Sequence, residues 1–169
     1  MANFPKLIPA FTANIVIDPP TPIGPTARGG NLVHVAFIPN MGFIRSELGY
    51  PIELDAVFVH GVDNIKADPD GKSARLDVQS AAKDKATGAL VRFSYTGTVT
   101  MGGAAGKVLT GASDAATTGF GEIFTHVVFE AGLPGLAALQ DKVYVGSGRF
   151  ILEPGKPVTV EYKISEIAD

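Results

Sequence analysis

From residue 7 to residue 167 the chain is a succession of short runs in which apolar and polar side chains alternate, each closed by Gly, Pro, Asn or Asp. A period of two is the strand period, and the regular return of turn residues predicts an all-β chain. The runs fall at 7–17, 32–38, 42–47, 52–62, 74–84, 89–101, 121–131, 143–153 and 157–167, which makes about nine strands by that rule. Only GLPGLAALQDK, residues 132–142, has helical spacing, with Leu133, Leu136, Ala137 and Leu139 on one side. One short helix near 133–142 cannot cover so many apolar strand faces. The sheet must therefore bury its own apolar face, folded over as a sandwich or, preferably, closed as a single antiparallel barrel that leaves no edge. With 169 residues, 46% of them hydrophobic, one domain over 1–169 around one core is the simplest reading.

The hairpin ARLDVQSAAKD, KATG, ALVRFSYTGTVT gives the register. If residues 85–88 turn, Val78 faces Tyr95, Ser80 faces Phe93 and Ala82 faces Val91, an apolar face backed by a wet one with Arg75, Asp77, Gln79 and Arg92. Val158, Val160, Tyr162 and Ile164 repeat the alternation at the C-terminus, after a run interrupted by Gly146 and Gly148. Glycine in mid-strand permits sharp coiling or a close approach.

Several function classes are disfavoured. The net charge is −3 and no basic run occurs, so a nucleic-acid partner is not expected. Cys is absent, which removes disulfides and thiolate chemistry and fits a reducing, cytoplasmic setting. Neither a secretory leader nor an apolar stretch of bilayer length is read, so no membrane partner is expected. GAAGK at 103–107 lacks the spacing of a phosphate loop, DPDG at 68–71 lacks the rest of a calcium loop, and no zinc, dinucleotide or nucleophile motif occurs. His34, His60 and His126 lie on separate runs, and their spacing does not argue for a metal. No cofactor is expected.

Two clusters could carry chemistry. In VHGVDNIKADPDGKSARLDVQ, His60 and Asp63 end an apolar run, where a His and a carboxylate in a partly dry pocket form a general acid/base pair. Three positions apart they start on opposite faces, so a bulge near Gly61 is needed to bring them together. In GEIFTHVVFEAG, Glu122, Phe124 and His126 share one face and are candidates for contact with a ligand, His126 being read first as a buried hydrogen-bonded His and otherwise as a lumen residue. Tyr95 on the apolar hairpin face would seek a partner for its phenol, and Arg92 or Arg149 would stabilise developing negative charge. The glycine-rich stretches 21–31 and 101–121 read as long loops, of which the second could cover an opening.

The words HGVDNIKADPDGKSARLDV, TGALVRFSYTGTV and FEAG with LQDKVYVGSGR, in that order, resemble a family of small lipocalin-like β-barrel proteins of bacteria and fungi called domain of unknown function 3237. The resemblance implies the barrel and makes Asp63, Asp70, Gly71, Asp77 and Phe129 to Gly132 the counterparts of its recurring positions. His60 and Asn64 depart from its Gly and Trp. No general activity comes with it. The residues themselves point to a lumen for a small hydrophobic or aromatic molecule, acted on by a cofactor-free isomerase, cyclase or dehydratase with Asp63 and His60 at the mouth. The alternatives are a carrier without turnover and a structural homo-oligomer with a filled lumen.

Overall fold

The computed structural model describes residues 3–169. Strand β1 (Lys6–Val16) is followed by β2 (Thr21–Pro25), β3 (Asn31–Ala36), β4 (Phe43–Ser46), β5 (Asp55–Ala67), β6 (Ser73–Asp84) and β7 (Leu90–Thr100). A helix, α1 (Ala104–Leu109), precedes β8 (Ile123–Ala131). Helix α2 (Pro134–Ala137), continued by a 3-10 turn over Ala138–Asp141, leads to β9 (Tyr144–Ile151) and β10 (Thr159–Ala168). Neighbours run antiparallel in the order β2-β3-β5-β4-β1-β10-β9-β8-β7-β6, and β6 pairs back onto β5 to close the barrel.

The ten strands form eight staves. β3 and β4 lie on the same edge of β5, against its C-terminal and N-terminal halves, as two parts of one interrupted stave. β2 prolongs β1 along β3 after the break at Asp18–Pro20. Pro19 and Pro20 have no N–H to give a ladder, so β1 leaves β10 there and the barrel rim begins.

The β6–β7 register has Val78 opposite Tyr95, Ser80 opposite Phe93 and Ala82 opposite Val91, as the alternation requires. β2 and α1 occupy the two segments that read as glycine-rich loops. TPIGP is paired because β3 offers it a free edge, and the six residues of α1 are too few to display a helical period. The 132–142 segment is helical, though divided between α2 and the tighter turn.

One end of the barrel is solid. Phe11, Tyr50, Phe58, Phe93, Phe129 and Tyr144 pack edge-on or tilted at centroid separations of 5.1–5.7 Å, where each buried ring contributes about 1.5–3 kcal/mol of transfer energy. Leu136 and Leu139 cap it. A polar tie finishes the plug: the Tyr50 hydroxyl donates to Glu166 Oε2 at 2.6 Å, Tyr144 meets Tyr50 at 2.8 Å, and Lys142 Nζ donates to Glu166 Oε1 at 2.6 Å. Among the described residues no helix is long and apolar enough to cross a membrane.

Candidate ligand-binding site

The other end is hollow. A cavity of about 300 Å³ lies above the aromatic plug, at the lower limit of drug-sized sites. Ile15, Val35, Ile65, Val99 and Ile123 supply its carbon walls, Val108 and Leu109 of α1 its cover, and Asp18 to Pro20 with Lys156 and Pro157 its rim. The segment 101–121 therefore does contribute a cover. Thr118 straps it to the free edge of β9, exchanging bonds with Phe150 at 2.9 Å.

Three polar side chains face this cavity deep in the wall: Asp63, Tyr95 and Tyr162. Asp63 is inward because of a bulge. The β5–β6 pairing slips between Phe58 and His60, so Phe58 opposes Ala82 while His60 opposes Ala81. One extra residue at Val59 inverts the alternation beyond it. Phe58 is inside, His60 outside, Gly61 inside and Asp63 inside with 7% exposure. Gly61 is required there, since a Cβ would run into the Phe37 ring. Asp63 Oδ1 accepts the Asp77 N–H at 3.0 Å. Burial pushes the carboxyl up from 3.8 to about 7, with the Asp77 N–H opposing and the Asp77 charge assisting. Desolvation dominates because the charged form loses water and gains one hydrogen bond.

Tyr95 stands two strands away in the same row, since Asp63 opposes Val78 and Val78 opposes Tyr95. Tyr162 comes from the far side, on β10, yet its ring lies 5.1 Å from that of Tyr95 at 60°. Gly148 makes this possible. It opposes Tyr162 across the β9–β10 ladder, and a Cβ there would stand 2.5 Å from the Tyr162 ring. Burial, then the partner phenol and the Asp63 charge, hold Tyr95 well above the usual phenol range; Tyr162 is likewise raised by burial, with the Tyr95 phenol opposing. Both remain donors at ordinary pH.

Of the eight residues singled out in the sequence, Asp63 and Tyr95 meet in this cavity. His60 does not join Asp63, because the bulge that turns one inward turns the other to solvent. Phe124 and His126 are also exposed, Phe124 at 54%. Their strand buries Ile123, Thr125, Val127 and Phe129 instead, so they flank a shallow outer groove over Gly97 and Gly146. Glu122 caps α1, accepting the N–H of Ala104 at 3.2 Å and of Ala105 at 2.7 Å. Arg92 pairs with Glu130 and Gln79 on the outer face. Arg149 donates to Glu161 at 2.7 Å and covers the Phe120 ring from outside. Tyr162 is the residue that sequence reasoning missed. Its place in the apolar alternation and the glycine on the preceding strand were the available signals. Among the described residues no three His, Asp or Glu converge in a metal-binding cluster.

A closed antiparallel meander with an apolar chamber at one end and a buried carboxyl beside two phenols defines the class of protein, a small β-barrel with an internal cavity. The chain belongs to the family described as protein of unknown function (DUF3237), whose model matches residues 5–167. Solved structures share the fold at low identity. A beta-barrel like protein from Acinetobacter baumannii is 18% identical, with a TM-score of 0.71 over 99% of this chain and 98% of that one. A conserved protein of unknown function from Rhodopseudomonas palustris is 18% identical, with a TM-score of 0.73 over 98% and 99%. An enzyme from Penicillium herquei is 14% identical, with a TM-score of 0.60 over 97% of each chain. No curated protein matches the sequence.

Proposed function

We propose that this barrel binds a small, largely apolar molecule in its upper chamber and moves a proton on it through Asp63, as an isomerase, cyclase or dehydratase would. The observation that carries the reading is the Asp63 carboxyl, buried in a carbon-walled cavity and titrating near 7. A group poised at that pH gives and takes protons with similar ease, which is the condition general acid/base catalysis asks for. Proton transfer is chemistry the chain supplies from its own carboxyl. The phenols of Tyr95 and Tyr162 take the orienting role that the outward arginines cannot fill. An enzyme of the same barrel fold, from Penicillium herquei, is consistent with turnover in such a chamber.

Native mass spectrometry of freshly purified protein, followed by solution assay of whatever small molecule is released, tests the proposal. An apolar metabolite retained by wild type is expected, with its conversion slowed about a hundredfold or more in Asp63→Asn. Retention with no conversion under any pH would leave a carrier in place of an enzyme. Conversion unaffected by Asp63→Asn would remove the carboxyl from the role given to it here.

A further inference from the structure

We propose that the Tyr95–Tyr162 pair is the seat for a ligand oxygen, so that the chamber selects uncharged, mostly apolar compounds with a carbonyl or phenolic oxygen beside the carbon at which Asp63 exchanges a proton. This rests on the reading above and adds the substrate class to it.

A count of hydrogen-bond capacity is the basis. Two neighbouring phenols can spend at most one O–H on each other, so at least one is left for a ligand. Tyr95 and Tyr162 both line the cavity with their rings 5.1 Å apart, and no acceptor other than the partner phenol stands within reach of either hydroxyl among the described residues. Asp63 uses Oδ1 for the Asp77 N–H and leaves Oδ2 without a protein donor among the described residues. Everything else deep in the wall is carbon. One phenol O–H and one carboxyl oxygen thus converge on a dry space in which an unmade hydrogen bond is costly. A ligand oxygen with lone pairs answers the first; a carbon acid or alkene carbon beside it answers the second. Charge on the ligand is disfavoured. Lys156 is the one cation among the described lining residues, and its ammonium stands at the exposed rim paired with Glu153 at 2.6 Å.

The chemistry closes without a co-reactant. Ionised Asp63 takes a proton from the carbon next to the carbonyl. The C–H pair becomes a C=C bond while the carbonyl π pair moves to oxygen, and the phenol O–H donates to that developing oxyanion. Return of the same proton from Asp63 to another carbon of the conjugated system gives the isomer and restores both groups. Buried phenols are suited to the middle step because a donor aimed at a developing oxyanion in an apolar site acts at low dielectric with little reorganisation.

The test uses wild type, Tyr95→Phe, Tyr162→Phe, the Tyr95→Phe/Tyr162→Phe double variant and Asp63→Asn, with naphthalene, 2-naphthol, a series of substituted phenols and 2-tetralone as probes. Wild type should bind 2-naphthol about tenfold or more tighter than naphthalene, with affinity for neutral phenols falling as they become more acidic and their oxygens poorer acceptors. Each single Tyr→Phe change leaves one O–H and should weaken that preference only in part, whereas the Tyr95→Phe/Tyr162→Phe double variant should erase it and leave naphthalene binding intact. In deuterated water, wild type should accelerate hydrogen exchange at the carbon beside the 2-tetralone carbonyl, and Asp63→Asn should slow it about a hundredfold. Equal binding of naphthol and naphthalene overturns the oxygen seat while sparing the apolar chamber, and so does a phenol preference surviving in the Tyr95→Phe/Tyr162→Phe double variant. The phenol series in wild type decides the point even if a variant fails to fold. Failure of every probe to bind sinks the chamber reading itself, and this inference with it.

Discussion

At Asp63 the chain places an ionisable group where water cannot follow it. Its carboxyl titrates near 7 in the fold against 3.8 as a free side chain, so the native state holds the proton more tightly than the unfolded chain does. Its contribution to stability is complete below about pH 4 and is lost as pH rises through about 7. At 1.36 kcal/mol per unit of difference, the loss by pH 8 is roughly 4 kcal/mol. The other ionisable groups about the chamber are Tyr95, Tyr162, Asp77, Asp18 and Lys156. The two phenols stay neutral through this window, their titration being pushed upward. Asp63→Asn removes the titration, so its urea-unfolding free energy should decline much less than that of wild type between about pH 5 and pH 8. Parallel profiles for the two proteins would contradict the burial argument.

Single elements set the site's geometry more than any single residue does. The bulge at Val59 decides which residues of β5 see the chamber, and β9 presents Gly148 where a side chain would displace Tyr162. Helix α1, too short to be stable alone, is held by Glu122 at its N-terminus and by the seating of Ala105 in the core. Removing the carboxylate in Glu122→Ala should weaken α1 by about 1 kcal/mol. Amide hydrogen exchange over residues 104–110 is then expected to speed up several-fold while the β6–β7 amides keep their wild-type protection.

Across the whole molecule, the two halves of the barrel should respond differently to the same insult. Phe129 is 1% exposed within the aromatic plug, so Phe129→Ala should cost about 3–5 kcal/mol by opening a void in a close-packed region. Val108 merely borders the existing chamber, and Val108→Ala should cost about 1 kcal/mol. Thermal melts of the two variants measure the contrast, which vanishes if the chamber collapses on itself in solution. The strands and their hairpin register were legible in the sequence because their evidence is local. Alternation assigns faces, turn residues mark the ends, and the KATG turn sets Val78 against Tyr95. Asp63 and Tyr95 were legible as ionisable groups among apolar ones. His60, Phe124 and His126 were misplaced because an alternating strand shows two faces without saying which is inside, and because one inserted residue reverses the answer.

The sequence by itself determined an antiparallel all-β sheet and the pairing of its hairpins, since both follow from a period of two and from neighbours joined by short turns. Closure was preferred there over a sandwich only because it leaves no edge. Only the tertiary structure decided that one end is packed solid and the other left open, that Tyr162 crosses over Gly148 to meet Tyr95, and that Asp63 faces inward. Those outcomes depend on contacts between strands far apart in the chain and on a bulge whose position comes from the ladder, and neither leaves a local pattern in the residues.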